Sequence, residues 1–348
     1  MLRVAIDPSL AVLPSTQTSI ERRITQIIQW NGRLRQADAA SYAIAGAFEA
    51  LADDGSFPLD HDIGQRLRSA GIVHLSAHDV VIAITTLLSS CLSLEREINV
   101  KAVLLDAVES KPHLPIPEAC GPVVVGVSAQ LFECVALCIA KSHLTLVGVV
   151  TTQERAELGQ IHVEGLLEDV EIADVAAGCL LTPPFEFQAD VVVFETPADL
   201  IRANLSELLR DATSTADVSA AVYLAALRMA KGEQLGANFS DLAKRFAVGP
   251  RFATAILAQG PPGRESMRTK ILRAAAEVVL GVHMEKSHAL RQGPGGNDPQ
   301  IVDGSRKAWR HDVDHEWHLH YWRPTSAGVE LASLGPHNSF SIPDCSAP

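Results

Sequence analysis

The chain has 348 residues, of which 47% are hydrophobic and 20% charged, a balance that excludes global disorder. This length is enough for two domains, or for one large domain with an appendage. The net charge of −12 argues against a protein that coats nucleic acid with its whole surface, but it leaves room for a local basic site.

The amino-terminal run and the cysteines bear on cellular location. The first apolar run is interrupted by Asp7 and Pro8 and is too short for a secretory signal. The longest uncharged apolar run, 80–94, is shorter than a bilayer span. The six cysteines show no C-x-x-C pair and no disulfide spacing. We therefore expect a cytoplasmic protein that contacts no membrane and has no cofactor or metal ion.

Residues 1–117 are predicted to be mainly helical. Apolar residues recur at helical spacing, as at Ile20, Ile24, Ile27 and Ile28. No pattern in this region indicates catalysis. The region is therefore predicted to be a scaffold whose helices contact a protein partner.

Residues 118–200 change to short β-branched runs, which predict a small α/β layer. No phosphate-binding loop and no G-x-G-x-x-G motif is present, so nothing indicates nucleotide binding. The elements predicted for this layer are strands over 123–127, 144–150, 161–170 and 191–194, with a helix over 128–141.

Residues 201–286 are predicted to be helical and include a segment spaced like a helix-turn-helix. Leu242, Phe246, Val248 and Ile256 have the packing spacing of two short helices around a turn. Several basic residues lie nearby, a local excess in an acidic chain. The segment therefore predicts either contact with DNA or ordinary helix packing.

A glycine- and proline-rich stretch within 287–300 is predicted to be a linker. After it, residues 301–348 are predicted to form an antiparallel β domain that ends in a short strand over 339–342. The whole chain is thus predicted to be an α+β protein with a helical amino-terminal portion, a small sheet-bearing middle, a helical segment with helix-turn-helix-like packing and this β domain.

The β domain holds the candidate site, because seven of the 13 histidines follow residue 280. Side chains alternate along a strand, so Glu316, His318 and His320 are predicted to share one face, with His337 at its rim. Imidazole titrates near neutral pH, and His318 and His320 are therefore candidates for general acid and base at a phosphodiester. His337 is predicted to be a second base or an orienting group, and Glu316 a hydrogen-bond partner.

Cationic side chains near this face are predicted to bind the substrate. Arg310 or Arg323 can neutralise the charge that develops on phosphorus. His288 and Arg291, just before the glycine-rich stretch, can fold over the sheet and complete the site.

This segment resembles a known family. Residues 309–321, a hairpin, and residues 329–337 are similar to the terminal β-sheet of RelE/YoeB-like toxins, small ribonucleases that cleave messenger RNA on the ribosome without a metal. The resemblance implies that His337 matches the family's late histidine and that Arg310, after Trp309, matches its Trp-Arg pair. At the position of the family's central arginine, this chain has His318.

Several functions are therefore predicted. The first is a metal-independent ribonuclease or toxin-like effector that acts on RNA. The second is a non-enzymatic regulatory protein that binds DNA or a protein, with the His- and Trp-rich sheet as an interface. The third is a metalloprotein, since His318 and His320 form a His-x-His pair whose imidazoles suit a divalent transition metal.

Overall fold

The chain divides into two compact units, Arg3–Ala203 and Asn204–Pro348, in an α+β fold with an antiparallel carboxyl-terminal sheet. The computed structural model describes residues 2–35, 39–141, 146–174, 181–203, 205–210, 212–235, 242, 245–258, 265–324 and 328–344.

The first unit is built on a seven-stranded mixed sheet in the order β3-β2-β1-β5-β7-β6-β4. The strand pairs β1/β5, β5/β7 and β2/β3 are parallel, whereas β6/β7 and β4/β6 are antiparallel. Its strands are β1 (Leu2–Ile6), β2 (Ala39–Ala43), β3 (Leu92–Ser93), β4 (Val100–Lys111), β5 (Gly148–Val150), β6 (Gln160–Ile172) and β7 (Phe185–Phe194).

Helices α1 to α7 belong to this unit. Helix α1 begins after Thr16, whose hydroxyl accepts the backbone N–H of Ser19 and so caps the helix. The helices are α1 (Gln17–Leu34), α2 (Ala47–Asp53), α3 (Asp60–Ser69), α4 (Ala77–Ser89), α5 (Leu94–Glu97), α6 (Pro122–Ala140) and α7 (Gln153–Ala156), with 3-10 turns at Pro8–Ala11 and Pro197–Arg202.

Helix α6 supplies much of the core of the first unit. Leu131, Phe132, Cys134 and Cys138 are buried against the strands. By length and composition alone the helix is also apolar enough to cross a membrane, although half of its apolar window is buried in the fold. The absence of membrane contact therefore stays a prediction.

The second unit combines helices with a six-stranded sheet in the order β10-β11-β12-β13-β8, with β9 paired to β11. The central strands β11, β12 and β13 are antiparallel, and β8 joins β13 in parallel. Its elements are α8 (Leu205–Arg210), α9 (Thr215–Gly232), β8 (Phe246–Val248), α10 (Pro250–Ala258), α11 (Glu265–Leu280), a 3-10 turn (Met284–Lys286), β9 (Ser287–Ala289), β10 (Val302–Asp303), β11 (Arg306–Asp312), β12 (Trp317–Arg323) and β13 (Val329–Pro336).

The division of the chain differs from the predicted boundaries at 117, 200 and 287–300. Strands β1 to β4 share a sheet with β5 to β7, so residues 1–117 are not purely helical. Residues 39–51 switch from strand β2 to helix α2 at Gly46, whose φ of +81° favours glycine. Likewise β8 and β9, from the predicted helical and linker segments, complete the carboxyl-terminal sheet.

Two predicted strands are wrong. Residues 123–127 are helical, because Pro122 occupies the first turn of α6 and the apolar run continues through it. Residues 339–342 form no strand in the described structure, and Ser341 instead accepts a side-chain hydrogen bond through its carbonyl.

The helix-turn-helix segment is described only in part. Its second helix is α10, and Phe246–Val248 is a short strand rather than a simple turn. The first predicted helix lies mostly outside the described residues, so the motif stays a prediction.

Candidate active site

The predicted histidines of β12 lie on one face of the carboxyl-terminal sheet, together with charged residues of neighbouring strands. Residues directly opposite each other in an antiparallel ladder point to the same side. His318 is opposite Asp312, and His320 is opposite Arg310, which in turn is opposite His288. We call these five residues, with the adjoining His337, the histidine face.

His318 forms a dyad with Asp312. The distance from His318 Nε2 to Asp312 Oδ1 is 3.0 Å. A carboxylate only accepts, so Nε2 carries the proton and Nδ1 holds the basic lone pair. Burial lowers the pKa of His318, against the raising effect of Asp312, and the positive neighbour Arg310 lowers it further. The ring is therefore neutral at pH 7 and suited to accept a proton.

His337 lies beside this dyad. Its ring centroid is 4.7 Å from that of His318, and its side chain is exposed. Two backbone contacts hold it there: its N–H donates to the carbonyl of Glu316 (2.8 Å), and its own carbonyl accepts from Arg310 Nη1 (3.4 Å). A second imidazole thus stands at the solvent side of a buried one.

Three nitrogen atoms of the histidine face are buried without a hydrogen-bond partner in the described part of the chain. They are Arg310 Nε, His318 Nδ1 and His320 Nε2. A buried polar atom without a partner costs about 1–3 kcal/mol, so most folded proteins avoid it. Three such atoms on one sheet face indicate polar groups kept ready for a ligand.

His320 is not placed to exchange protons with a substrate, contrary to the prediction. The residue is fully buried, and its Nδ1 donates to the Ser341 carbonyl at 3.0 Å. Burial lowers its pKa to about 4. Close packing against Gly335, where an added Cβ would meet the ring at 2.7 Å, fixes the imidazole in place. His320 therefore supports the face rather than reacting on it.

The other predicted residues are divided between the face and its surroundings. His288 belongs to it, with Nε2 3.9 Å from Asp312 Oδ2. The carboxylate of Glu316 points to the neighbouring His315 (3.6 Å), so only its backbone carbonyl contributes. Arg291 donates to the Asp298 carbonyl at 2.6 Å and thereby fastens the glycine-rich loop.

Arg323 lies on the opposite side of the sheet. It follows Trp322 in β12 and shares the side of Tyr321, so it does not face His318. Its predicted role in binding the substrate of the histidine face does not fit this placement.

Asp312 is the functional residue to which sequence reasoning assigned no role. The signal lies in the segment after it: Asp314 accepts the backbone N–H groups of Glu316 and Trp317, which forms a tight turn. That turn sets the register that brings Asp312 opposite His318.

A cavity of about 260 Å³ adjoins Asp312 and was also missed. Asp312 lines it together with three cationic side chains of α11 and the following turn, Lys270, Arg273 and Lys286. Lys270 and Lys286 are paired with Asp314 and Glu277, but Arg273 has no ion pair within the described ranges. Positive charge thus lies next to the dyad.

The first unit holds a separate buried ion pair. Asp7 and Thr151 follow the parallel strands β1 and β5, between which the strand order reverses, the usual place for ligands in such sheets. Burial alone raises the pKa of Asp7, but the Arg155 guanidinium at 2.8 Å, aided by Thr151 and Ser128, holds it below its usual value. Because these groups satisfy one another, the network is structural.

Within the described residues, no three His, Cys, Asp or Glu side chains are grouped to hold a metal ion. No protein-family model, no curated protein and no solved structure matches the chain.

Proposed function

We propose that the second unit is a metal-independent ribonuclease whose active site is the histidine face. The observation that carries this proposal is the dyad of Asp312 and His318, whose basic nitrogen is buried and unpartnered beside a second imidazole. The similarity of residues 309–321 and 329–337 to RelE/YoeB-like toxins favours RNA as the substrate.

The residues suit cleavage through a cyclic phosphate. His318 Nδ1 takes the proton of a ribose 2′-hydroxyl, and the 2′-oxygen attacks the adjacent phosphorus. The bond from phosphorus to the 5′-oxygen breaks, a 2′,3′-cyclic phosphate forms, and protonated His337 gives its proton to the leaving oxygen. Arg310 stabilises the charge on the non-bridging oxygens.

Access to His318 requires a small movement. Its Nδ1 is buried in this structure, whereas the neighbouring His337 is exposed and follows the last strand. We expect RNA binding to shift His337 and to admit the ribose. The adjoining cavity, with Lys270, Arg273 and Lys286, offers positive charge for the next phosphate of the chain.

The test is cleavage of a single-stranded RNA that carries a fluorophore and a quencher. We expect His318→Ala and His337→Ala each to lower the rate by about a hundred- to ten-thousandfold, the usual loss for a general acid or base. His315→Ala is the matched control, because that ring is 87% exposed and pairs only with Glu316. Equal cleavage by all three variants contradicts the proposal.

A second candidate function is DNA binding by a regulatory protein, favoured by helix α10. Phe252 and Ile256 of this helix are buried, whereas Arg251 and Thr254 are exposed, as in a helix that packs by one side and reads a groove by the other. We expect duplex binding that weakens with salt and with Arg251→Gln. Fluorescence anisotropy that shows no such dependence rules it out.

A further inference from the structure

The second unit has a pocket on the side of the sheet opposite the histidine face. Its volume is about 420 Å³, within the range of small-molecule sites. We call it the arginine pocket. It is lined by Arg245, Val278, Val279, Leu280, Gly281, Met284, Tyr321, Arg323, Pro324, Gly328 and Val329.

Two arginines from different elements meet in this pocket. Arg323 ends β12, and Arg245 precedes β8, where its carbonyl accepts the backbone N–H of Val329 at 2.8 Å. Both guanidinium groups lack an ion pair within the described ranges, and none of the pocket's lining residues is acidic. Most other described cations of this unit differ, as Lys270 pairs with Asp314 and Lys286 with Glu277.

The charge of the pocket selects the ligand. Two permanent positive charges without a counter-charge favour a dianion, and a phosphate monoester carries nearly two negative charges at pH 7. A guanidinium also binds phosphate oxygens through two parallel N–H groups, which a single carboxylate matches with less charge.

The remaining wall selects an organic body. Val278, Met284, Tyr321 and Val329 present apolar atoms beside the arginines, and the Tyr321 hydroxyl is already engaged with Ser287 Oγ at 3.1 Å. We propose that the arginine pocket binds a small organic phosphate monoester of nucleoside monophosphate size. This site goes beyond the proposed ribonuclease and does not depend on it.

Calorimetric titration of the full chain with adenosine 5′-monophosphate tests this proposal. We expect binding that weakens at least tenfold in Arg323→Gln and in Arg245→Gln, the effect of losing one charged hydrogen-bond donor. Arg251→Gln is the matched control, because it removes an equally exposed positive charge outside the pocket. Circular dichroism of each variant verifies that it is folded.

Three other probes distinguish the parts of the ligand. Adenosine lacks the phosphate, inorganic phosphate lacks the organic body, and benzoate replaces phosphate by a carboxylate. We expect all three to bind more weakly than the monophosphate. Equal binding of any one of them overturns the assignment, as does undiminished binding by the Arg323 or Arg245 variant. RNA cleavage by Arg323→Gln should match the wild type, which separates this site from the histidine face.

Discussion

Replacing Asp312 by Asn tests how the dyad works. The change keeps the shape of the side chain but removes a negative charge 3.0 Å from His318 Nε2. The carboxylate stabilises the imidazolium that forms when His318 takes a proton. Asp312 is 42% exposed, so we apply the dielectric constant of water, and Coulomb's law then gives about 1.4 kcal/mol. That energy corresponds to about a tenfold lower rate constant.

The assay is the pH dependence of RNA cleavage by wild type, Asp312→Asn and the control Asp303→Asn, which removes an exposed charge on β10. Asp312 raises the pKa of His318, so its loss lowers that pKa further. A base works in its neutral form, and the acid limb of kcat/KM should therefore move to lower pH. We expect kcat to fall about tenfold while KM changes little. Identical pH profiles for the two variants would refute the reasoning.

The other predictions concern the support of the face. Burial holds the pKa of His320 at about 4, so the neutral ring costs stability as the unfolded chain takes up protons below its usual 6.5. Wild type should lose up to about 3 kcal/mol between pH 6.5 and 4, and His320→Asn, which can still donate to the Ser341 carbonyl, should lose less in urea titrations at each pH; equal slopes would contradict this. Glu277→Gln weakens a buried bond to His311 Nε2 (2.8 Å) and should cost about 2–3 kcal/mol of unfolding free energy, with an unchanged urea midpoint as the contrary result. Gly335→Ala should cost about 1–3 kcal/mol through overlap with His320, and a thermal midpoint equal to that of wild type would argue against such tight packing.

Part of the fold followed from residue patterns and part did not. The alternation in β12 correctly placed His318 and His320 on one face. The first unit was misjudged, because short strands such as β2 and β3 gain their partners only from distant parts of the chain. Residues 123–127 show that β-branched runs form helices where the local capping and the core favour it.

The site was predictable only as far as the strand period reaches. Arg323 could have been excluded from the face at once, since it differs by an odd number of residues from His318. The roles of Asp312 and His320 depend on cross-strand register and on the chain around Ser341, and neither leaves a local signal. Which imidazole is covered and which is open is a property of tertiary packing.

The nature of the cleaved ends tests the central claim most directly. Mass spectrometry of a single-stranded RNA incubated with the wild-type chain in EDTA should show 2′,3′-cyclic phosphate ends with 5′-hydroxyl partners, and a DNA of the same sequence should stay intact. Uncleaved RNA, cleavage that EDTA abolishes, or cleavage of the DNA as well would contradict a histidine-based attack by the ribose hydroxyl.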